Sequence, residues 1–157
     1  MLWRQCLATK ELQKIRGSMP TFAAMQSTTF IRLAALLGAA TVAIGAFGAH
    51  GLRSAQPPLS EYQIRIFEKG VQYQFIHVLA LLAVGLLLAQ QPDNRRLRWA
   101  GWLFVAGIAG FSGSLYLLAC RDVLPFSVAW AGPVTPLGGL CFIAGWVMLS
   151  SFRSFRH

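Results

Sequence analysis

Four long stretches of this chain contain no Asp, Glu, Lys or Arg. They run over residues 33–52, 71–89, 99–119 and 134–152. A helix rises 1.5 Å per residue, so about 20 such residues cross the hydrocarbon layer of a bilayer, which is about 30 Å thick. A soluble helix of this length shows a polar face, and these stretches show none. The pattern predicts an all-α, polytopic membrane protein built as a bundle of four transmembrane helices.

We expect the spans at about residues 31–51, 71–89, 99–119 and 133–152, within one membrane domain over residues 28–153. Residues 1–27 precede this domain as a tail in which basic and apolar residues alternate roughly at helical spacing. Three interpretations of the tail stay open: an interfacial amphipathic helix, a transit peptide, or an overlong gene start. The true first residue is accordingly Met1, Met19 or Met25.

The charge distribution points to the bilayer as the partner of this chain. Charged residues make up 12% of the sequence, about half the usual quarter of a soluble domain, and the net charge is +9. The basic residues lie in short clusters between the apolar stretches, which is typical of membrane loops and not of a nucleic-acid-binding face. The sequence therefore argues against nucleic-acid binding.

The same basic residues predict the orientation in the membrane. With the N-terminus inside, ten Lys and Arg face the cytoplasm and four face the other side. The four are Arg53, Arg65, Lys69 and Arg121. Because short cytoplasmic loops carry the excess of basic residues, the count favours both termini inside.

Two local patterns predict how the helices begin and pack. Ser60 followed by Gln63 is typical of a capping box at the start of the second helix. Ala35, Ala39 and Ala43 recur every four residues in the first span and predict a ridge that packs against another helix.

Polar side chains in or beside the spans form a candidate cluster, for function or for packing, in the outer half of the bundle. Its members are His50, Arg53, Tyr73, Gln74, His77, Ser112, Ser114, Tyr116 and Thr135. Polar groups are costly in lipid and usually face the bundle interior. The first interpretation is structural, with hydrogen bonds between helices. The second is a site for a solute, proton or ion around His50 and His77, and the third is a metal site that includes these two histidines.

Catalytic and cofactor chemistry finds little support in the sequence. The acidic residues Glu61, Glu68, Asp93 and Asp122 lie in loops or at helix ends, and no motif marks a nucleophile with its base. Cys6, Cys120 and Cys141 show no paired spacing. We expect no catalytic residues, no metal and no cofactor.

Four motifs occur in order along the chain: Gly45 to Leu52 (GAFGAHGL), Tyr73-Gln74 with His77 to Leu82, Phe111 to Tyr116 (FSGSLY), and Thr135 to Gly139 (TPLGG). Together they resemble the domain-of-unknown-function 423 family of small inner-membrane proteins, which includes YgdD-like bacterial proteins and the eukaryotic transmembrane protein 256. The resemblance covers about residues 30–150 and implies a four-span protein of the bacterial cytoplasmic membrane.

These observations lead to two hypotheses about function. The first is a non-enzymatic integral membrane protein with a structural or interaction role, whose partner is another membrane protein or a second copy of itself. The alternative is a small transporter or channel-like component with a solute, proton or ion site around His50 and His77.

Overall fold

The computed structural model describes residues 22–52, 54 and 59–151, with the side chains of the first helix described from Gln26 onward. The helices are α1 (Phe22–His50), α2 (Glu61–Gln90), α3 (Arg95–Gly107), α4 (Gly113–Ala119) and α5 (Ala131–Ser150). A π-helical turn, Ile108–Ser112, joins α3 to α4, so that these three elements form one continuous third span, Arg95–Ala119. Residues 1–21 of the predicted tail lie outside the described residues.

Four of the helical stretches are long and apolar enough to cross a membrane: Gln26–His50, Glu61–Gln90, Arg95–Ala119 and Ala131–Ser150. Every regular element among the described residues is helical. The predicted all-α, four-span membrane protein is therefore confirmed.

Polar side chains fix the starts of two helices. The Ser60 hydroxyl accepts a hydrogen bond from the Gln63 backbone N–H at 3.3 Å, and the Gln63 side-chain oxygen accepts one from the Ser60 N–H at 2.9 Å. This reciprocal pair is the predicted capping box, and it is confirmed. At the start of α3, the Asn94 side chain accepts from the N–H groups of Arg96 and Leu97. Both caps satisfy donors that would otherwise lack a partner at the helix start.

Helices that follow one another in sequence make the main contacts of the bundle. α1 packs along α2, α2 packs against the third span, and the third span packs against α5. The Phe30 ring is fully buried and reaches from α1 across a notch at Gly85 to Gly101 in α3. A ring of this size fits there because glycine leaves room where any side chain would collide with it.

The predicted alanine ridge of α1 is wrong. Ala35, Ala39 and Ala43 are all exposed, whereas Ala34 and Thr41 are buried. Small residues at four-residue intervals occur on more than one face of α1, so spacing alone does not select the face that packs. The side chains available on α2, which fit against Gly38 and Gly45, select it instead.

The π-helical turn packs closely against α5. A Cβ atom added at Gly110 would lie 3.2 Å from the Cα of Gly138 in α5, and one added at Gly138 would overlap the backbone of Phe111. A π-turn inserts one extra residue into a helix and rotates the residues that follow it. The third span therefore presents different faces to its neighbours before and after residue 110.

The molecule has two distinguishable ends. The Arg96 guanidinium donates to the Ser151 carbonyl at 3.1 Å, and Gln26 lines a cavity together with Arg95. The start of α1, the turn between α2 and α3 and the end of α5 thus lie together at what we call the turn end. The other end, with His50, Ser60 and the segment between α4 and α5, is called the loop end.

Candidate functional site

The two histidines of the predicted cluster lie far apart. His50 is the last residue of α1, its side chain is exposed, and its Nδ1 lies 3.3 Å from the Ala46 carbonyl. Gly48, two residues earlier, packs against the ring of Phe67, which precedes His77 by ten residues in α2. Ten helical residues correspond to about 15 Å along the axis. The two histidines therefore belong to different surroundings.

A chain of hydrogen bonds joins three of the four spans around Gln74. The Gln74 amide nitrogen donates to the Thr41 hydroxyl of α1 at 2.8 Å, and Thr41 donates in turn to the Leu37 carbonyl at 2.6 Å. On the other side, the Tyr116 hydroxyl of α4 donates to the Gln74 side-chain oxygen at 3.0 Å. Gln74 and Thr41 are buried. Each group in this chain finds a partner inside the protein, as polar groups in a bilayer require.

His77 is held between α2 and α5 with both ring nitrogens bonded. Trp146 donates its indole N–H to Nε2 at 3.2 Å, and Nδ1 lies 2.8 Å from the Tyr73 carbonyl. Because Nε2 accepts from Trp146, the ring proton is on Nδ1, where it is donated to the carbonyl. The imidazole also stacks on Phe142, with 3.4 Å between the ring centroids. This arrangement fits the neutral ring.

Serine and threonine hydroxyls link the third span to α5. Ser114 and Thr135 lie with their hydroxyl oxygens 2.7 Å apart. The Ser114 hydroxyl also lies 2.9 Å from the Phe111 carbonyl, and the Thr135 hydroxyl lies 3.2 Å from the Ala131 carbonyl. Since each hydroxyl has one hydrogen, one of the two donates across to the other helix while the other donates to a carbonyl of its own helix. Ser112, at the end of the π-turn, is fully buried, and its hydroxyl has no hydrogen-bond partner in the part of the chain that the structure describes.

A groove of about 540 Å³ opens beside His77 between α2 and α5. Its walls are mainly apolar and come from Tyr73, Ile76, His77, Phe111, Pro136, Gly139, Leu140, Phe142, Ile143 and Trp146. Tyr73 packs on Phe111, with 4.7 Å between their ring centroids. These residues belong to spans two, three and four, so the groove lies within the spans and not at either end of the bundle.

Comparison with known proteins gives the family. Residues 44–139 match the family described as "Protein of unknown function (DUF423)". The chain belongs to this family. The matched region includes every member of the predicted cluster, from His50 to Thr135. Thr41 and Trp146, which bond to Gln74 and His77, lie just outside it.

Several relatives of this DUF423 protein are described by name as UPF0382 membrane proteins. One from Staphylococcus aureus (strain bovine RF122 / ET3-1) is 44% identical over 120 residues, which are 76% of this chain and 90% of the relative. YwdK of Bacillus subtilis (strain 168) is 39% identical over 120 residues, which are 76% of this chain and 91% of the relative. No solved structure matches the chain significantly.

The loop end of this DUF423 protein carries a separate polar contact that the sequence did not reveal. Gln63, already held in the capping box, donates its amide N–H to the Asp122 carboxylate at 2.8 Å. This bond ties the start of α2 to the segment that follows α4. Arg53 of the predicted cluster lies outside the described residues.

Among the described residues, no three His, Cys, Asp or Glu side chains converge as metal ligands would. Cys120 follows α4 at the loop end, and partial burial raises the pKa of its thiol. The thiolate, which is the form that binds metals and attacks electrophiles, is therefore disfavoured.

The residues that complete these networks carry weak sequence signals. Thr41 is a single hydroxyl in an apolar stretch, and Trp146 resembles an interfacial anchor of the fourth span. Only the helix pairing shows that Thr41 faces Gln74 and that Trp146 faces His77.

Proposed function

We propose that this chain is a non-enzymatic integral membrane protein that acts through contacts with other membrane components. The hydrogen-bond chain of Thr41, Gln74 and Tyr116 carries this proposal. Thr41 and Gln74 are buried, and their side chains bond to neighbouring spans. Groups engaged in this way fix the relative position of the helices, with an average contribution of about 0.6 kcal/mol per bond.

The surroundings of His77 support the same function. Both nitrogens of its ring are bonded within the protein, and Phe142 covers one face. A proton carrier or a ligand-binding imidazole needs one nitrogen that exchanges partners during function. Here the ring instead joins α2 to α5.

Water accessibility tests the proposal. In a variant free of the native cysteines, a cysteine replacing Thr41 or Gln74 should resist a membrane-impermeant polar thiol reagent. A cysteine replacing Ser54, which is exposed at the loop end, serves as the positive control. Each substitution removes a hydrogen bond of the network and could itself admit water. Agreement between two positions on different helices guards against this effect. Rapid labelling at positions 41 and 74 would contradict a closed, structural role.

The competing function is a small transporter or channel-like component, and the groove beside His77 favours it. This groove brings an ionisable side chain close to an opening of about 540 Å³ within the spans. Under this hypothesis, cysteines in the groove wall at Gly139 or Ile143 should react with polar reagents, and a transported solute should protect them. Under the structural hypothesis, the same cysteines should react only with lipid-soluble reagents.

For the location, we propose the bacterial cytoplasmic membrane with both termini inside. The excess of basic residues that the sequence assigns to the side of both termini, with Arg95, Arg96 and Arg98 in the first turn of α3, supports this orientation. Reporter fusions at Asp93 and at His157 should both show a cytoplasmic position. A periplasmic signal at either position would contradict the orientation without affecting the proposed function.

A further inference from the structure

A second cavity lies at the turn end, remote from the groove at His77. It has a volume of about 230 Å³ and is lined by Gln26 of α1 with Arg95, Arg98, Trp99 and Trp102 of α3. The hydrogen-bond networks at Gln74 and His77 do not involve any of these residues.

The four lining residues of α3 share one helix face because of their spacing. Arg98, Trp99 and Trp102 follow Arg95 at three, four and seven positions, which is the repeat that brings residues to one side of a helix. The Asn94 cap fixes where this helix begins and therefore where its first turn lies. The arrangement puts Arg95 and Arg98 in the first turn of α3, with Trp99 and Trp102 on the same face.

Within the described residues, neither Arg95 nor Arg98 is paired with an acidic side chain. Among the residues that the structure describes, the one ion pair joins Arg121 to Asp122 at the loop end. Arg96, between them in sequence, points elsewhere and donates to the Ser151 carbonyl. The nearest acidic residue along the chain is Asp93, which is exposed in the α2–α3 turn. The cavity therefore attracts anions.

The indoles place this cavity at the membrane surface. Trp99 is 61% exposed and Trp102 is 46% exposed, and tryptophans on the lipid-facing side of a span lie at the level of the headgroups. Trp102 is held by an edge-on contact with Phe30, with 5.4 Å between their ring centroids. Trp99 follows Arg95 by four residues, about 6 Å along the helix.

Gln26, the lining residue from α1, has a buried side-chain oxygen. This oxygen has no hydrogen-bond partner within the described part of the chain. Because this oxygen is inaccessible, a ligand in the cavity would reach it only after the Gln26 side chain turns. The volume corresponds to about eight water molecules at about 30 Å³ each, which is enough for a phosphodiester and part of its headgroup.

We propose that this cavity binds the headgroup of an anionic phospholipid. Arg95 and Arg98 contact the phosphate oxygens, as guanidinium groups do in other phosphate sites. The two indoles lie against the glycerol and the upper acyl chains. Basic pockets between membrane helices recognise such headgroups by the same chemistry.

Native mass spectrometry of the full-length protein in detergent tests this proposal. The protein is titrated with palmitoyl-oleoyl phosphatidylglycerol and, separately, with the matching phosphatidylcholine, and the 1:1 complexes are quantified. We expect tighter binding of phosphatidylglycerol. Each of Arg95→Gln and Arg98→Gln should weaken it about fivefold, and the double variant about 25-fold, because a basic residue near a headgroup contributes about 1 kcal/mol.

Arg96→Gln is the matched control, since it removes the same charge from the same helical turn but from a side chain that does not line the cavity. It should change binding by less than about twofold, given that an exposed charge outside the site acts only through screened long-range attraction. Circular dichroism of each variant verifies that it remains helical. Equal binding of the two lipids, or an equal loss in Arg96→Gln and Arg95→Gln, would overturn the proposal.

A soluble phosphate compound could occupy the same cavity through the same contacts with the arginines. A competition experiment distinguishes this ligand from a phospholipid. Inorganic phosphate at millimolar concentration should neither displace phosphatidylglycerol nor raise the melting temperature of the wild-type protein. If it does both, and if Arg95→Gln/Arg98→Gln abolishes both effects, the ligand is a soluble phosphate and the lipid assignment is wrong.

Discussion

Trp146 and His77 join the fourth span to the second through one hydrogen bond, from the indole N–H to the imidazole Nε2, at 3.2 Å. The bond determines the chemical state of the histidine, since a nitrogen that accepts from an indole carries no proton. It also joins α2 to α5 beside the groove. These two helices pack less extensively on each other than the other neighbouring helix pairs do.

Trp146→Phe removes this donor and keeps an aromatic ring. We expect the free energy of unfolding in detergent to fall by about 0.5–1.5 kcal/mol, because the Nε2 acceptor is left without a partner. Trp130→Phe is the control, since Trp130 is exposed before the start of α5 and has no role in the groove. Equal stability of wild type and Trp146→Phe in a denaturation series would show that the bond contributes nothing.

Gln74→Leu should destabilise the protein by about 1–2 kcal/mol, because it leaves the Tyr116 hydroxyl without an acceptor inside the bundle. A double-mutant cycle with Tyr116→Phe should give a coupling energy of about 0.6 kcal/mol, which is typical of hydrogen bonds between membrane helices. Gln72→Leu, at an exposed position of the same helix, should change the stability by less than about 0.5 kcal/mol. Additive effects in the cycle would contradict a direct bond.

Gly138→Ala should cost about 1–3 kcal/mol, because the added methyl group would overlap the backbone of Phe111 and force α5 away from the π-turn. A backbone, unlike the end of a flexible side chain, gives way only when the helix moves. Gly132→Ala is the matched control in the same helix, since a Cβ there meets no atom within 4 Å. Melting temperatures of the two variants in one detergent provide the comparison, and equal values would refute the close contact.

Gln63→Glu should make the stability depend on pH. The glutamate can still close the capping box, but its carboxylate would face Asp122 where the wild-type amide now donates. A neighbouring negative charge raises the pKa of the introduced carboxyl in the folded state above its unfolded value near 4.3. The folded state then binds more protons, so stability should fall, by about 1–2 kcal/mol, as the pH rises above about 4.

The control for this pH dependence is the double variant Gln63→Glu/Asp122→Asn, in which the second carboxylate is replaced by an amide. Its unfolding free energy, measured by denaturation between pH 4 and pH 7, should vary with pH much as that of the wild type does. A pH dependence that persists in the double variant would mean that Asp122 does not face position 63 in solution.

Local rules explain the features of this protein that could be predicted. Each helix that crosses the bilayer needs a long stretch without charged residues, whatever its neighbours are. The four spans can therefore be recognised in the sequence before any contact between helices is known. The capping box at Ser60 and Gln63 is equally local, because both partners lie within one helical turn. The polar residues Gln74 and His77 stand out for the same reason, since each is rare in such a stretch.

The rotation and depth of each helix, in contrast, are decided only by the tertiary structure. They determine that the alanine ridge of α1 is exposed, that Thr41 meets Gln74, and that His50 is separated from His77. In lipid, apolar faces gain little from burial, so shape decides: side chains and backbone fit into glycine notches such as Gly85 and Gly138. The sequence by itself determined four helices and their polar residues. The fit between helices decided which of those residues meet. Contact between two helices depends on the shapes of the side chains at their interface, and the hydropathy of each segment does not contain this information.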